Sequence, residues 1–189
     1  MKRIFLVLAI LIVAGSAALF AQSGESSWAK SYDKDGQFNL YGSVGLGGLS
    51  LLGTGLGASV AGEYIITNLR IGDVDLPFGV GVRGAINTFS YDNGLGYGST
   101  SWLGWGVGPF ASLHLGFRNA PFDVFISAGL AVNGHSFSYP GYSQNTAEVG
   151  FLTDDGAIWH FSDAVGLLLE YGYLGVNTSI FDVGLQIKF

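Results

Sequence analysis

The sequence predicts an all-β fold: an eight-stranded antiparallel up-and-down transmembrane β-barrel, preceded by a cleavable signal peptide. Three observations lead there. The N-terminus has the layout of an export signal, the remainder is apolar and poor in charge without a second apolar run of helical span length, and eight segments alternate with a period near two. Residues 1–21 are read as the signal peptide, 22–36 as a polar periplasmic tail and 37–189 as the barrel domain.

Lys2 and Arg3 form a basic start, Ile4 to Ala14 is unbroken apolar sequence, and small residues lead to Ala21, where cleavage before Gln22 is expected. Leu19 departs from the small residue that the cleavage pattern prefers, and the alternative is an uncleaved anchor, for which the apolar core is short. Without Lys2 and Arg3, six basic residues remain against 14 acidic ones, a charge of −8, so nucleic acid is not an expected partner. Hydrophobic residues make up 49% and charged residues 12%, about half the charge usual in a soluble domain. An exported, charge-poor chain without a spanning helix leaves the closed barrel as the membrane solution, because only helices and closed barrels satisfy the backbone in lipid. The absence of Cys excludes disulfides, thiolate metal sites and thiol nucleophiles.

The alternating segments fall near 38–49, 55–67, 78–91, 102–117, 122–133, 147–161, 165–174 and 179–189, most of them long enough for a tilted strand to cross an outer membrane. In the first three, Phe38, Leu40, Val44 and Leu46, then Leu56, Val60 and Tyr64, then Phe78, Val80, Val82 and Ile86 share one face. In the fourth and fifth that face carries Leu103, Trp105, Val107, Leu113 and Leu115, then Phe122, Val124, Ile126, Leu130 and Val132. The sixth is the weakest, because Asp154-Asp155 puts a carboxylate on either face; a bulge or a strand rising above the membrane would resolve it. The seventh and eighth place Val165, Leu167, Leu169 and Tyr171, then Phe181, Val183, Leu185, Ile187 and Phe189, on the apolar face. Opposite faces hold Glu63, Arg83, His114, Asp123, Glu170, Asp182 and Lys188 among Gly, Ser, Ala and Asn. A soluble barrel would turn the apolar face inward. Wide apolar side chains on one face and small or polar ones on the other suit a narrow lumen with lipid outside.

The aromatic residues fit that orientation. Phe38, Phe78, Phe117, Phe122, Phe161 and Phe189 mark the periplasmic rim, and Trp105, Tyr171, Tyr173 and Phe181 lie toward the other. Segments 92–101 and 134–146 read as long outer loops. The connection at 68–77 is too long for a periplasmic turn, and the outer loops near 50–54 and 175–178 are short.

The closing run Val183-Gly184-Leu185-Gln186-Ile187-Lys188-Phe189 resembles the C-terminal signature of bacterial outer-membrane barrels, with a terminal Phe and apolar residues alternating back from it. Upstream, Ile158 to Tyr173 resembles the sixth strand, tight turn and seventh strand of small OmpA/OmpX-like barrels. The resemblance covers roughly 158–189 and is one of pattern before that. It implies location in a bacterial cell outer membrane, contact with its lipids, and recognition by the barrel-assembly machinery through Gly184, Leu185, Ile187 and Phe189. With the chain stopping at Phe189, the peptidoglycan-binding domain that OmpA-like proteins often carry is not expected.

The inner charges are the first functional candidates. Glu63 and Arg83, on adjacent strands, are expected to pair across the hairpin, with Glu170 at similar depth and Lys188 completing a lumen ion-pair network, because charges in a narrow lumen must be paired or hydrated. The competing reading is an ion-conducting gate in which Arg83 switches partners. His160-Phe161-Ser162 has the His-x-Ser spacing of outer-membrane lipid A deacylases, but it falls at the periplasmic end and Glu170 is misplaced as its acid. His114 and His135 show no metal-ligand spacing, and Asp33-Lys34-Asp35-Gly36 lacks the later ligands of a calcium loop and reads as a turn. The Gly-rich stretch 42–57 has no Walker lysine. No catalytic, cofactor or metal site is therefore expected. Phe137, Tyr139 and Tyr142 form an aromatic outer loop that could meet an extracellular ligand or host surface. The expected role is a structural or surface-interaction barrel with a largely closed, polar lumen. A narrow channel for ions or small apolar molecules, a lipid-modifying enzyme and a soluble lipocalin-like binder stand as alternatives.

Overall fold

The computed structural model describes residues 32–50, 53–71, 74–92, 99–117, 121–174 and 179–189. The expected signal peptide and most of the polar tail lie outside the described residues. Eight antiparallel strands follow one another around a closed barrel: β1 (Phe38–Ser50), β2 (Gly53–Ile71), β3 (Val74–Asp92), β4 (Ser99–Gly116), β5 (Phe122–Tyr139), β6 (Tyr142–His160), β7 (Val165–Leu174) and β8 (Ser179–Lys188). β1 closes on β8 from Asn39↔Lys188 to Gly47↔Ile180.

The pleat sends successive side chains to opposite faces, and the exposed apolar residues are those that share the apolar parity in the sequence. Val44, Leu56, Val60, Val82, Ile86, Ile126, Leu130, Leu169, Val183 and Leu185 all lie on the outer surface. Glu63, Arg83, His114, Asp123, Glu170, Asp182 and Lys188 are buried inside. This inside-out distribution is that of a barrel whose solvent is lipid, and it is the reverse of a soluble lipocalin-like barrel. At the periplasmic rim, Phe38 lies 6.2 Å from Phe189, Phe117 5.3 Å from Phe122, and Phe122 6.5 Å from Trp159 between ring centroids.

Three features depart from the sequence expectation. The long connection at 68–77 is not a loop: β2 and β3 remain paired to Ile71↔Val74, with a register shift between Ile65 and Thr67. The segment 134–146 is likewise a strand pair, running to Tyr139↔Tyr142 around a tight Pro140-Gly141 turn. In Ser136-Phe137-Ser138-Tyr139 the period of two simply continues past the membrane, with polar residues replacing aliphatic ones. Third, no bulge interrupts β6, whose pairing with β5 is continuous from Phe122↔Trp159 to Tyr139↔Tyr142. Asp154 therefore points inward and Asp155 outward, between Ile126 and Tyr171 on the neighbouring strands.

Asp155 is thus a carboxylate on the lipid-facing surface, five residues above the end of β6 and roughly 12 Å from it for a strand tilted by about 40°. A charge at that depth loses hydration. Asp155→Leu is expected to stabilise the barrel by about 1–2 kcal/mol in urea titrations from lipid vesicles. A destabilised variant would show that Asp155 has a partner outside the chain.

Candidate functional site

An eight-stranded lumen is just wide enough to be filled by side chains. Here it is filled in layers. The middle of the inner face carries Tyr41, Phe110, Phe125, Ile158 and Leu168, all buried. These large side chains stand on the face expected to be small and polar, so the interior is mixed rather than wholly polar.

One polar group lies on the extracellular side of this apolar layer. Arg83 on β3 reaches across the lumen to Asp154 on β6, 2.6 Å away, and to Glu170 on β7, 2.9 Å away. Ser59 Oγ donates to Glu170 Oε1 at 2.9 Å. Ser43 Oγ lies 2.7 Å from Glu170 Oε1 and 2.8 Å from Asp182 Oδ2, and its single proton serves one of them. The guanidinium therefore ties β3 to β6 and β7 across the lumen, and Asp182 on β8 joins the group through Ser43 on β1.

A second group fills the periplasmic end. Glu63 on β2 accepts from Tyr41 Oη and from Ser112 Oγ, and its Oε1 lies 3.0 Å from His114 Nε2. Asp33, from the segment preceding β1, sits inside the barrel mouth. Lys188 Nζ is 2.9 Å from its Oδ1, and Asn39 and Gln37 donate to the same oxygen. His114 Nδ1 faces its Oδ2 at 3.3 Å. Asp123 Oδ2 lies 2.7 Å from His160 Nε2, and the Tyr32 ring stacks on His160 at 4.4 Å. Tyr32 also accepts from Lys188 Nζ through its backbone carbonyl. The segment just ahead of β1 is thus folded into the periplasmic opening rather than lying free of it.

The four residues expected to form one lumen network divide between these groups. Glu63 and Arg83 do not pair. The register sets Glu63 opposite Gly81 and Arg83 opposite Ala61. Arg83 finds its partners across the lumen on β6 and β7, and Glu63 finds Tyr41 on the neighbouring β1 and Ser112 and His114 on β4. Arg83 and Glu170 do meet, whereas Lys188 belongs to the periplasmic group through Asp33. Sequence reasoning missed Asp33, Asn39, Tyr41, Ser43 and Ser112. For Asn39, Tyr41, Ser43 and Ser112 the strand parity was the available signal, and for Asp33 there was none. His114 does not stand alone: with Asp33 and Asp123 it forms a buried group whose ligand-type atoms lie within 4.8 Å of one another.

His160 and Ser162 do not face each other as base and nucleophile. His160 is turned toward Asp123, while Ser162 Oγ accepts from the backbone N–H of Ala164 and Val165 at the β6–β7 turn. His135 lies far from the periplasmic group, beside Thr146 on the outer hairpin. Leu185, Ile187 and Phe189 face outward, with Gly184 on the inner side. Along the outer hairpin, Phe137 and Tyr139 are 5.8 Å apart, and Tyr139 stacks on Tyr142 at 5.1 Å.

No family model and no curated protein sequence matches the chain. Solved structures do. The attachment invasion locus protein Ail of Yersinia pestis superimposes with a TM-score of 0.59 at 12% identity, over 82% of this chain and 100% of Ail. Neisserial surface protein A gives 0.54 at 17% identity, over 82% and 98%. The N-terminal β-barrel domain of Pseudomonas aeruginosa OprF gives 0.51 at 14% identity, over 83% and 100%. With its apolar exterior, closed eight-strand order and filled lumen, the chain has the fold of the small OmpA/OmpX-like outer-membrane barrels.

Proposed function

We propose that this protein is a bacterial outer-membrane barrel with a closed lumen, whose role is to present the β5–β6 hairpin as an interaction surface. The carrying observation is the unequal strand length. β7 ends at Leu174 opposite Leu152, yet β6 continues to Tyr142, so residues 142–151 rise beyond β7 for roughly 30 Å of strand. Among the described residues the edge of β6 beyond Leu152 is unpaired, and with the exposed Tyr139 and Tyr142 at its tip it is a surface that other chains can pair with or stack upon.

Charge narrows the partner. Ail has been crystallised with the heparin analogue sucrose octasulfate. In this chain no Lys or Arg occurs between Arg83 and Arg118 or between Arg118 and Lys188, so the β5–β6 hairpin offers a polyanion no lysine or arginine. A neutral or basic protein surface suits Tyr139, Tyr142 and Glu148 better.

Replacing residues 137–142 by Ser and Gly, with the barrel still heat-modifiable on gels, is expected to lower adhesion of expressing bacteria to host-type surfaces at least tenfold. Soluble heparin should leave wild-type adhesion unchanged. Undiminished adhesion of the hairpin variant would overturn the reading. Closure is supported by the layered filling of the lumen and is checked in planar bilayers. Reconstituted protein should give no stable conductance steps, and discrete steps would favour the channel alternative.

A further inference from the structure

We infer that the periplasmic mouth holds a divalent transition-metal ion of the zinc class, bound by His114, Asp123 and Asp33. His114 and Asp123 project into the lumen from β4 and β5, and Asp33 enters from the segment before β1. His114 and Asp123 are 2% and 1% exposed. Among the described residues, His114 Nδ1 and Asp123 Oδ1 are buried polar atoms without a hydrogen-bond partner, although each residue's other polar atom is engaged.

The engaged atoms decide what the open ones are. His114 Nε2 lies 3.0 Å from Glu63 Oε1, so in the neutral ring the proton sits on Nε2 and Nδ1 is the open nitrogen. Nδ1 then faces the Asp33 carboxylate, 3.3 Å away, and in a buried site that edge is held either by a proton on Nδ1 or by a metal ion between the two. Ligand atoms of a zinc tetrahedron are about 3.4 Å apart, so this edge already has the right length. The third ligand atom, on Asp123, lies within 4.8 Å of the other two. Glu63 behind His114 and His160 behind Asp123 are the outer partners that orient metal ligands. One imidazole nitrogen with two carboxylate oxygens is a donor set for zinc rather than for calcium.

The local charge agrees: among the described residues the carboxylates of Asp33, Glu63 and Asp123 crowd the mouth beside Lys188, an acidic setting that suits a divalent ion. The chain reaches this arrangement through a turn at Asp35-Gly36. Gly36 has φ +80°, in the left-handed region that favours glycine, and the turn lets Asp33 go inward while Asp35 accepts from Asn68 outside. The ion would thus fasten the segment preceding β1 to β4 and β5 and seal the mouth.

The test uses tag-free protein in detergent micelles, stripped with chelator and dialysed against zinc alone. Wild type is expected to retain one zinc per barrel, His114→Gln and Asp123→Asn to bind at least a hundredfold more weakly, and Glu63→Gln 10–100-fold more weakly. His135→Gln should retain one equivalent. Zinc should also slow trypsin cleavage after Lys34 in wild type. Should a variant fail to fold, cobalt with wild type replaces it: visible bands of a low-coordinate nitrogen–oxygen site, bleached by one equivalent of zinc, support the assignment. Absence of retained zinc in wild type, undiminished binding by folded His114→Gln, or loss in His135→Gln would each overturn it. Surface adhesion of the metal-site variants should be unaffected, which separates this inference from the hairpin's role.

Discussion

Arg83→Met is expected to lower the unfolding free energy of the barrel by about 3–5 kcal/mol, read from urea titrations in lipid vesicles. The side chains of Arg83, Asp154 and Glu170 are 6%, 0% and 1% exposed, so neither water nor lipid can take over the lost contacts. The cost is not mainly that of two missing ion pairs. Removing the guanidinium leaves Asp154 and Glu170 buried beside each other and beside Asp182, with Ser43 and Ser59, among the described residues, donating protons to the latter two. Replacing Asp154 by Asn and Glu170 by Gln in the Arg83→Met background should therefore recover most of the loss, since a neutral trio is tolerated where a bare charge is not. A loss under about 1 kcal/mol in the single variant would mean that the cluster is hydrated, and with it the closed lumen would fall. Bilayer conductance should stay low in Arg83→Ala too, because the layer of Tyr41, Phe110, Phe125, Ile158 and Leu168 blocks the lumen independently of the ion pairs.

The same residues show where sequence reading succeeds and where it stops. Which way Arg83, Glu170 or Val183 points follows from parity, and parity is local: a pleated strand alternates whatever its neighbours do. The eight strands, and the outer faces of all but the sixth, were therefore legible from the alternation; in β6 the Asp154-Asp155 pair left the face open until the pairing with β5 settled it. Which charge meets which is not local. It depends on strand stagger around the closed ring, so Glu63 finds His114 two strands away and Arg83 finds Glu170 across the lumen. Asp33 belongs to a polar stretch with no period, and only the fold shows that it turns into the barrel. The β5–β6 hairpin was misread as a loop because above the membrane nothing selects apolar side chains for one face, and alternation between Ser and aromatic residues is faint without that contrast. The inner aromatics were hidden by an opposite fault. Phe110 and Phe125 lie on the lumen face, where the rule that apolar residues face lipid gives no place to them.

Ile158→Ala should cost about 2–5 kcal/mol, because Ile158 is fully buried in the lumen and nothing in a ring of paired strands can collapse into the space. Its partner is a glycine. A Cβ built on Gly166, on the adjacent β7, would lie 2.5 Å from Ile158 Cγ2, so Gly166→Ala forces the isoleucine from its place and should cost about 1–3 kcal/mol. The two losses should not add. Alanine at 158 has no Cγ2, and the remaining neighbours of the new methyl, His160 Nδ1 and the Trp159 carbonyl oxygen, stand at 3.3 Å, close but within reach of a small adjustment. In the Ile158→Ala background, Gly166→Ala is therefore expected to cost less than about 1 kcal/mol, a coupling of about 1–2 kcal/mol in a double-mutant cycle. Full additivity would mean that Gly166 is needed for its backbone rather than for the room it leaves. Coupling would explain part of the high glycine content in physical terms: in a lumen this narrow, each large side chain on one strand requires an absent one on the next.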